Sequence, residues 1–511
     1  MKCRVMSERN PTAPRAGDDV PDLQAIVSLA ANGEIAEAMA KAARISDSHV
    51  AIEAWRVLSV ANANLQRWDA AVFAIDHALR FDPVSRPLRW SRAQLLEQRG
   101  DDRGALAELE SLARESVDSP QLLVHLATQL ASAGRSDEAD AMLVRGLSLW
   151  PADAALHTQL ARLRWQRGDG RDALRHIEDA IRQQPRELHL RLVAAELLRN
   201  AGHADHALRL LEGGLALAPD SSTFRTSIGV LLEGMDRLEE ALPCLREAHA
   251  RAPRSVAARR NLVPALLRTG GAAEARVILD GLLLQFPDDQ LLIAQRATAL
   301  RLLGDSEYAE LHDYARLVQT FTLEPVAPFA DIATFNEAFA RELAPLHRAT
   351  RHPLEQSLRG GSQTERHLPR DNPVFAAFFA MLDAPIRRYI AGLDERRRHP
   401  VDARKRDYYR ISGSWSVKLQ PGGFHLNHVH PRGWLSSAYY ISTPGLDDAD
   451  TREGWLKFGE PGFKVAGCGP EHFVKPAPGM LVLFPSYLWH GTVPFSAGEM
   501  RLTAAFDVLP A

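Results

Sequence analysis

Cysteine is scarce in this 511-residue sequence, which holds only Cys3, Cys244 and Cys468. They lie far apart and form no CxxC pair, which excludes a thiolate-rich zinc site and fits a reducing, cytoplasmic setting. Charge of one sign is also lacking. A formal net charge of -3 provides neither the basic field that nucleic-acid binding needs nor an acidic tail. No run of about eighteen apolar residues occurs, so no membrane span is expected. The opening "MKCRVMSERNPTAPRAGDDV" lacks the apolar stretch of a secretion signal and reads as a disordered lead-in over residues 1–20. There is no P-loop, because the Gly-Gly pairs lack the lysine and the strand-to-helix context, and no recognisable elbow carries a serine or cysteine nucleophile.

What is present begins with a ruler. Ala71, Ala105, Ala139, Ala173, Ala207, Ala241, Ala275 and Ala309 follow one another every 34 residues. Five positions before them stand Gly100, Gly134, Gly168, Gly202, Gly270 and Gly304, with Gln66 and Asp236 as exceptions. Twelve positions after them stand Pro83, Pro151, Pro185, Pro219, Pro253 and Pro287, with Val117 as an exception. Glycine suits a left-handed turn after a first helix, alanine lets a second helix approach closely, and proline closes the pair. The period and columns resemble the tetratricopeptide repeat family over roughly residues 20–320. The resemblance implies an all-α superhelix over 21–322 whose concave groove grips an extended peptide or another protein; assembly into a homo-oligomer is the competing use.

The register then stops. Residues 323–340 read as a linker, 341–411 as helical support, with "ATFNEAFARELAPLHRAT" and "NPVFAAFFAMLDAPIRRYIAGL" as its helical stretches, and 412–511 as short strands with turns at Pro421–Gly423, Pro444–Gly445, Pro461–Gly462 and Pro478–Gly479. Many short strands punctuated in this way suggest a barrel or jelly roll.

Three histidines in that region have the types and separations of an iron site. Fe(II) needs a facial set of three protein ligands that leaves the opposite face open. His428 and His430 offer a pair with one residue between them, and His490, in "LVLFPSYLWHGTVPF", offers a distant third. Arg501 follows in "EMRLTAAFDV" after the turn "FSAGE". A hairpin there returns its guanidinium beside the His490 strand, with Thr503 on the same strand face. A planar fork of donors with a neighbouring hydroxyl suits a carboxylate. Tyr439 and Tyr440 alternate across one strand, so one of them faces the interior. Gln363 and Thr364 are candidates for the substrate mouth, and Trp415, Trp434, Trp455 and Trp489 for core or an aromatic wall.

The stretches "SLRGGSQT", "GSWSVKL", "HVHPRGWLSSAYYIS", "EGWLKFGEP" and "LVLFPSYLWHGTVPF" resemble the 2-oxoglutarate and Fe(II)-dependent dioxygenases of the prolyl 4-hydroxylase-like branch, from about residue 340 to 511. The resemblance implies a double-stranded β-helix (jelly-roll) domain with flanking helices. It implies iron on His428, His430 and His490, and 2-oxoglutarate on Arg501, Thr503 and Tyr440. O2 is the second cosubstrate and ascorbate an admissible reductant. The implied reaction is hydroxylation of a protein or peptide held by the repeats; a small-molecule hydroxylase and an inactive repeat adaptor are the alternatives. The broad superfamily has a carboxylate where this chain has His430. His425 and Asp507 therefore stand as candidates to replace a ligand. Because imidazoles must be neutral to ligate, activity is expected to fall below about pH 6.

Overall fold

The computed structural model describes residues 19–65, 67–347, 357–364, 368–369, 372–443, 450–496 and 500–510. The lead-in up to residue 18, Gln66, the Pro444–Gly445 turn and residues 497–499 of the turn before Arg501 lie outside them. The chain forms two compact units, residues 1–118 and 119–511.

The first unit holds helices Asp19–Ala31, Ile35–Ala42, Ser48–Asn64, Trp68–Phe81, Arg86–Arg99 and Asp102–Glu115. Its core gathers Ile26, Trp55, Leu58, Ile75, Leu88 and Leu96 around the fully buried Ala71 and Ala105.

The second unit continues the helix pairs from Pro120–Ser132 and Ser136–Leu149 to Val256–Arg268 and Ala272–Leu283, and ends them with Gln290–Leu303 and the short Glu307–Leu311. The ruler is a packing rule: Ala139, Ala207, Ala241 and Ala275 are fully buried. Ala309 is exposed; it lies on the five-residue helix Glu307–Leu311, which packs on the preceding helix through Leu311 and Tyr308 instead. The glycine column is a backbone rule. Gly168 has φ 100° and Gly270 φ 82°, and Asp236, the exception by residue type, adopts the same left-handed backbone at φ 63°. A further column at the same period caps the first helices. Ser119, Asp153, Ser221, Ser255 and Asp289 each accept an N–H of the first turn.

After the repeats the chain builds two antiparallel sheets. Nine strands are described: β1 (Gln319–Thr322), β2 (Leu358–Gln363), β3 (Tyr409–His425), β4 (Leu435–Ser442), β5 (Leu456–Phe458), β6 (His472–Val474), β7 (Met480–Pro485), β8 (His490–Thr492) and β9 (Arg501–Pro510). The larger sheet has the order β1-β7-β4-β9-β3-β2 and the smaller β6-β5-β8. This is the antiparallel jelly-roll architecture the strand pattern suggests.

Two features differ from the sequence expectation. Among the described residues β9 pairs with β3 and β4 while β8 pairs with β5 in the other sheet, so no hairpin lays the Arg501 strand beside the His490 strand. The end of the expected solenoid is a strand. Residues 319–322, inside the expected solenoid, pair with β7. Residues 332–343, overlapping the stretch "ATFNEAFARELAPLHRAT" that reads as helical, form a helix whose Phe335, Phe339 and Leu343 recur at helical spacing and are fully buried. This helix and Pro373–Ala391 cover one face of the larger sheet, packing Phe339 and Phe378 on Tyr439. Ile293 and Ala294 of the last long repeat helix belong to the same core, so the repeats and the sheets of this unit are continuous.

Candidate metal centre and carboxylate pocket

The β9 register fixes one sheet face. Arg501 lies opposite Leu419, Thr503 opposite both Val417 and Tyr440, and Asp507 opposite Ser436, while Gln363 lies opposite Val417. Cross-strand neighbours share a face, so Gln363, Tyr440, Arg501, Thr503 and Asp507 line one side. Tyr439 points to the other, where its hydroxyl donates to Asn336 at 2.6 Å.

Across from this face, the loop after β3 meets the start of β8. His428 N–H donates to His490 O at 2.9 Å and His490 N–H to His428 O at 3.1 Å. Gly491 permits that approach, since a Cβ there would lie 2.3 Å from Asn427 Oδ1. His430 N–H donates to Ser486 O at 3.0 Å. The ring centroids of His428 and His490 are 4.3 Å apart, and both stand 5.2 Å from that of His430. One nitrogen from each of the three converges within 4.8 Å of the others.

The tautomers follow from the hydrogen bonds. His428 Nδ1 faces Leu426 O at 2.8 Å, His490 Nδ1 faces Leu488 O at 2.9 Å, and His430 Nδ1 faces Asp507 Oδ1 at 2.5 Å. Each acceptor holds a proton on Nδ1 and turns the Nε2 lone pair inward. His428 Nε2 and His430 Nε2 then face each other at 3.3 Å, a repulsion that a cation between them relieves. Burial and the neighbouring His430 push the His428 pKa down to about 3. Burial, His428 and His430 also hold His490 well below the ordinary imidazole value. His428 and His490 therefore stay neutral, as ligation requires, and the donor set fits a divalent first-row metal.

His425 stands aside from this group. Its Nδ1 meets Ser357 Oγ at 3.0 Å, and its ring centroid is 5.7 Å from that of His428. Asp507 stands behind His430, and its carboxylate also accepts from Ser436 Oγ at 2.8 Å.

The second half of the site is a cationic pocket. Arg501 is 3% exposed. Its Nη1 donates to Gly454 O at 2.6 Å, and its guanidinium lies 4.9 Å from the Tyr440 ring centroid. Burial pulls its pKa down, with the Tyr440 hydroxyl opposing. Among the described residues no carboxylate pairs with Arg501, and Arg501 Nε and the Tyr440 hydroxyl are buried without a partner. A buried cation with idle donors is costly unless an anion completes it. Thr503 is close by in the sheet, its hydroxyl 3.5 Å from Val417 O.

The tryptophans divide. Trp415 stands 5.6 Å from the His430 ring, Trp434 Nε1 donates to Val401 O at 2.8 Å, and Trp489 Nε1 donates to Thr298 Oγ1 at 3.2 Å. Trp455 Nε1 is buried without a partner among the described residues.

Residues 413–507 match the family model described as "Putative 2OG-Fe(II) oxygenase", and residues 232–297 match the tetratricopeptide repeat model. The chain carries tetratricopeptide repeats and a 2OG-Fe(II) oxygenase domain. The matched oxygenase segment contains His428, His430, His490 and Arg501. Among solved structures, a Pseudomonas putida prolyl-4-hydroxylase aligns at 20% identity and TM-score 0.27, over 40% of this chain and 98% of its own. A tetratricopeptide repeat protein from Parabacteroides merdae aligns at 14% identity and TM-score 0.31, over 49% and 100%. The APC/C Cut9-Hcn1 structure aligns at 19% identity and TM-score 0.26, over 47% of this chain and about half (48%) of that one. No curated protein matches the chain.

Proposed function

We propose that the oxygenase domain is a 2-oxoglutarate- and Fe(II)-dependent dioxygenase that hydroxylates a protein or peptide held by the repeats. The observation that carries the reading is Arg501, 3% exposed and without a carboxylate partner among the described residues, on the sheet face that also holds Asp507 behind the three-imidazole cluster. A dicarboxylic keto acid satisfies both features, with a chelating end for a metal and a free carboxylate for the guanidinium.

In this reading His428, His430 and His490 offer their Nε2 atoms as ligands, and Leu426 O, Asp507 and Leu488 O hold the Nδ1 protons that set the tautomers. Arg501 and the Tyr440 hydroxyl donate to the distal carboxylate beside Thr503. Phe484 and Phe458, with ring centroids 4.7 Å and 6.4 Å from His490, keep water from that side of the imidazole. Fe(II) with 2-oxoglutarate and O2 supplies oxidative decarboxylation to succinate and CO2, coupled to oxygen insertion into a C–H bond.

Free Cys244 and Cys468 support a reducing, cytoplasmic setting. No helix among the described residues is long and apolar enough to cross a membrane. The test is Fe(II)-dependent succinate formation from 2-oxoglutarate, abolished in His490→Ala and in Arg501→Ala; normal turnover in either variant contradicts the assignment. For the substrate, a pull-down with His490→Ala followed by mass spectrometry of captured proteins after exposure to wild type should show a gain of one oxygen atom.

A further inference from the structure

The three imidazoles bring no charge to a divalent cation, yet a carboxylate stands immediately behind one of them. Asp507 Oδ1 lies 2.5 Å from His430 Nδ1 and 2.8 Å from Ser436 Oγ. Ser436 Oγ meets Ser486 Oγ at 2.9 Å, and Ser486 O accepts the His430 backbone N–H at 3.0 Å. This closed ring of contacts fixes the imidazole at both its backbone and its Nδ1. Among the described residues no arginine or lysine pairs with Asp507, whose one ion-pair partner is His430. Among these residues its charge faces only that imidazole and whatever the imidazole binds.

We infer that Asp507 is a positioning residue for the metal: through the His430 Nδ1–H it orients the ring and supplies, one layer out, the negative charge that an acidic ligand would have brought directly. The inference rests on the metal reading proposed above. A carboxylate accepting the remote N–H of a ligating imidazole fixes its tautomer and raises its basicity, and removing such a partner costs about 10- to 100-fold in metal affinity. The rival role is mechanical, tying β9 to β4 through Ser436. Asn at position 507 can still accept from Nδ1–H, which separates charge from orientation.

The experiment titrates metal-free full-length protein with Co(II) alone and follows affinity and the visible spectrum of the bound ion. Wild type should bind one equivalent. Asp507→Asn should bind roughly tenfold and Asp507→Ala roughly 100-fold more weakly, each with an altered Co(II) spectrum. Ser436→Ala, which keeps the charge, should stay near wild type. The double variant His430→Asp with Asp507→Asn moves the carboxylate into the ligand set and should bind more tightly than Asp507→Asn alone. Asp507→Asn is nearly isosteric and carries the test if the alanine variant fails to fold. Wild-type affinity and spectrum in Asp507→Asn, with binding lost in His490→Ala, overturns the role of Asp507 and leaves the metal site standing. Binding that is absent in wild type, or unchanged in His490→Ala, overturns the metal reading and this inference with it.

Discussion

Trp489 donates its indole N–H to Thr298 Oγ1 at 3.2 Å, so the residue before His490 is tied to the last long repeat helix. Three residues further along that helix, Arg301 pairs with Glu471 at 3.1 Å and donates to Gly459 O and Gly469 O at 3.0 Å. The oxygenase core is completed by repeat residues. Deleting residues 1–320 to ask whether the repeats are needed for turnover would therefore also remove Ile293 and Ala294 from the hydrophobic core of the sheet domain. Ile293→Ala should destabilise the second unit by about 2–5 kcal/mol, read as an earlier unfolding transition in denaturant. Removal of residues 1–118 should leave that transition in place.

Arg501 offers a test in two directions. Arg501→Leu should abolish 2-oxoglutarate binding in calorimetry, because truncating one side of a buried charge pair costs roughly 3–5 kcal/mol. Without cosubstrate the same variant should unfold at a higher temperature than wild type, because a buried guanidinium lacking a carboxylate is replaced by apolar volume.

Tyr440→Phe should keep the fold, because it removes a hydroxyl that has no protein partner among the described residues. It should weaken 2-oxoglutarate binding by about 1–3 kcal/mol, the cost of leaving one ligand oxygen without its donor. Tyr439→Phe, whose hydroxyl bonds Asn336 on the far face, should leave that affinity unchanged.

Acid should destabilise the fold. Burial pushes His312 down to about 3, and His347 and His399 to about 4. Between pH 6.5 and those values the unfolded chain takes up protons that the folded chain refuses. The stability associated with these groups is thus complete above pH 6.5 and is lost as pH falls toward 4, by at most about 1.4 kcal/mol per pH unit for each histidine. Denaturant midpoints should fall from pH 7 to pH 5. His428, held down to about 3 by burial and the neighbouring His430, remains neutral throughout this range.

Much of this was legible in the sequence, for physical reasons. A helix pair of fixed length leaves a fixed period, and a facial metal site draws on few residue types. His428, His430 and His490 were therefore candidates before any coordinates, and the structure brings their ring nitrogens together. Strand alternation likewise put Arg501 and Thr503 on one face and opposed Tyr440 to Tyr439. Other features were hidden because they depend on contacts distant along the chain. Asp507 reads as a spare ligand until its bond to His430 is seen. Ile293 and Ala294 look like any other repeat residues, and nothing in their own segment shows which core they join. Asp236 shows that the glycine column encodes a backbone angle, which a residue-type search reads as an exception.

The central claim is that three imidazoles and one guanidinium serve a single metal–keto acid complex. Anaerobic titration of the full-length protein with Fe(II) and 2-oxoglutarate, followed by visible charge-transfer absorption, tests it most directly. A band that saturates at one equivalent of each, and that disappears in both His490→Ala and Arg501→Ala, is the expected result. A band that survives in either variant, or one that never forms with wild type, contradicts it.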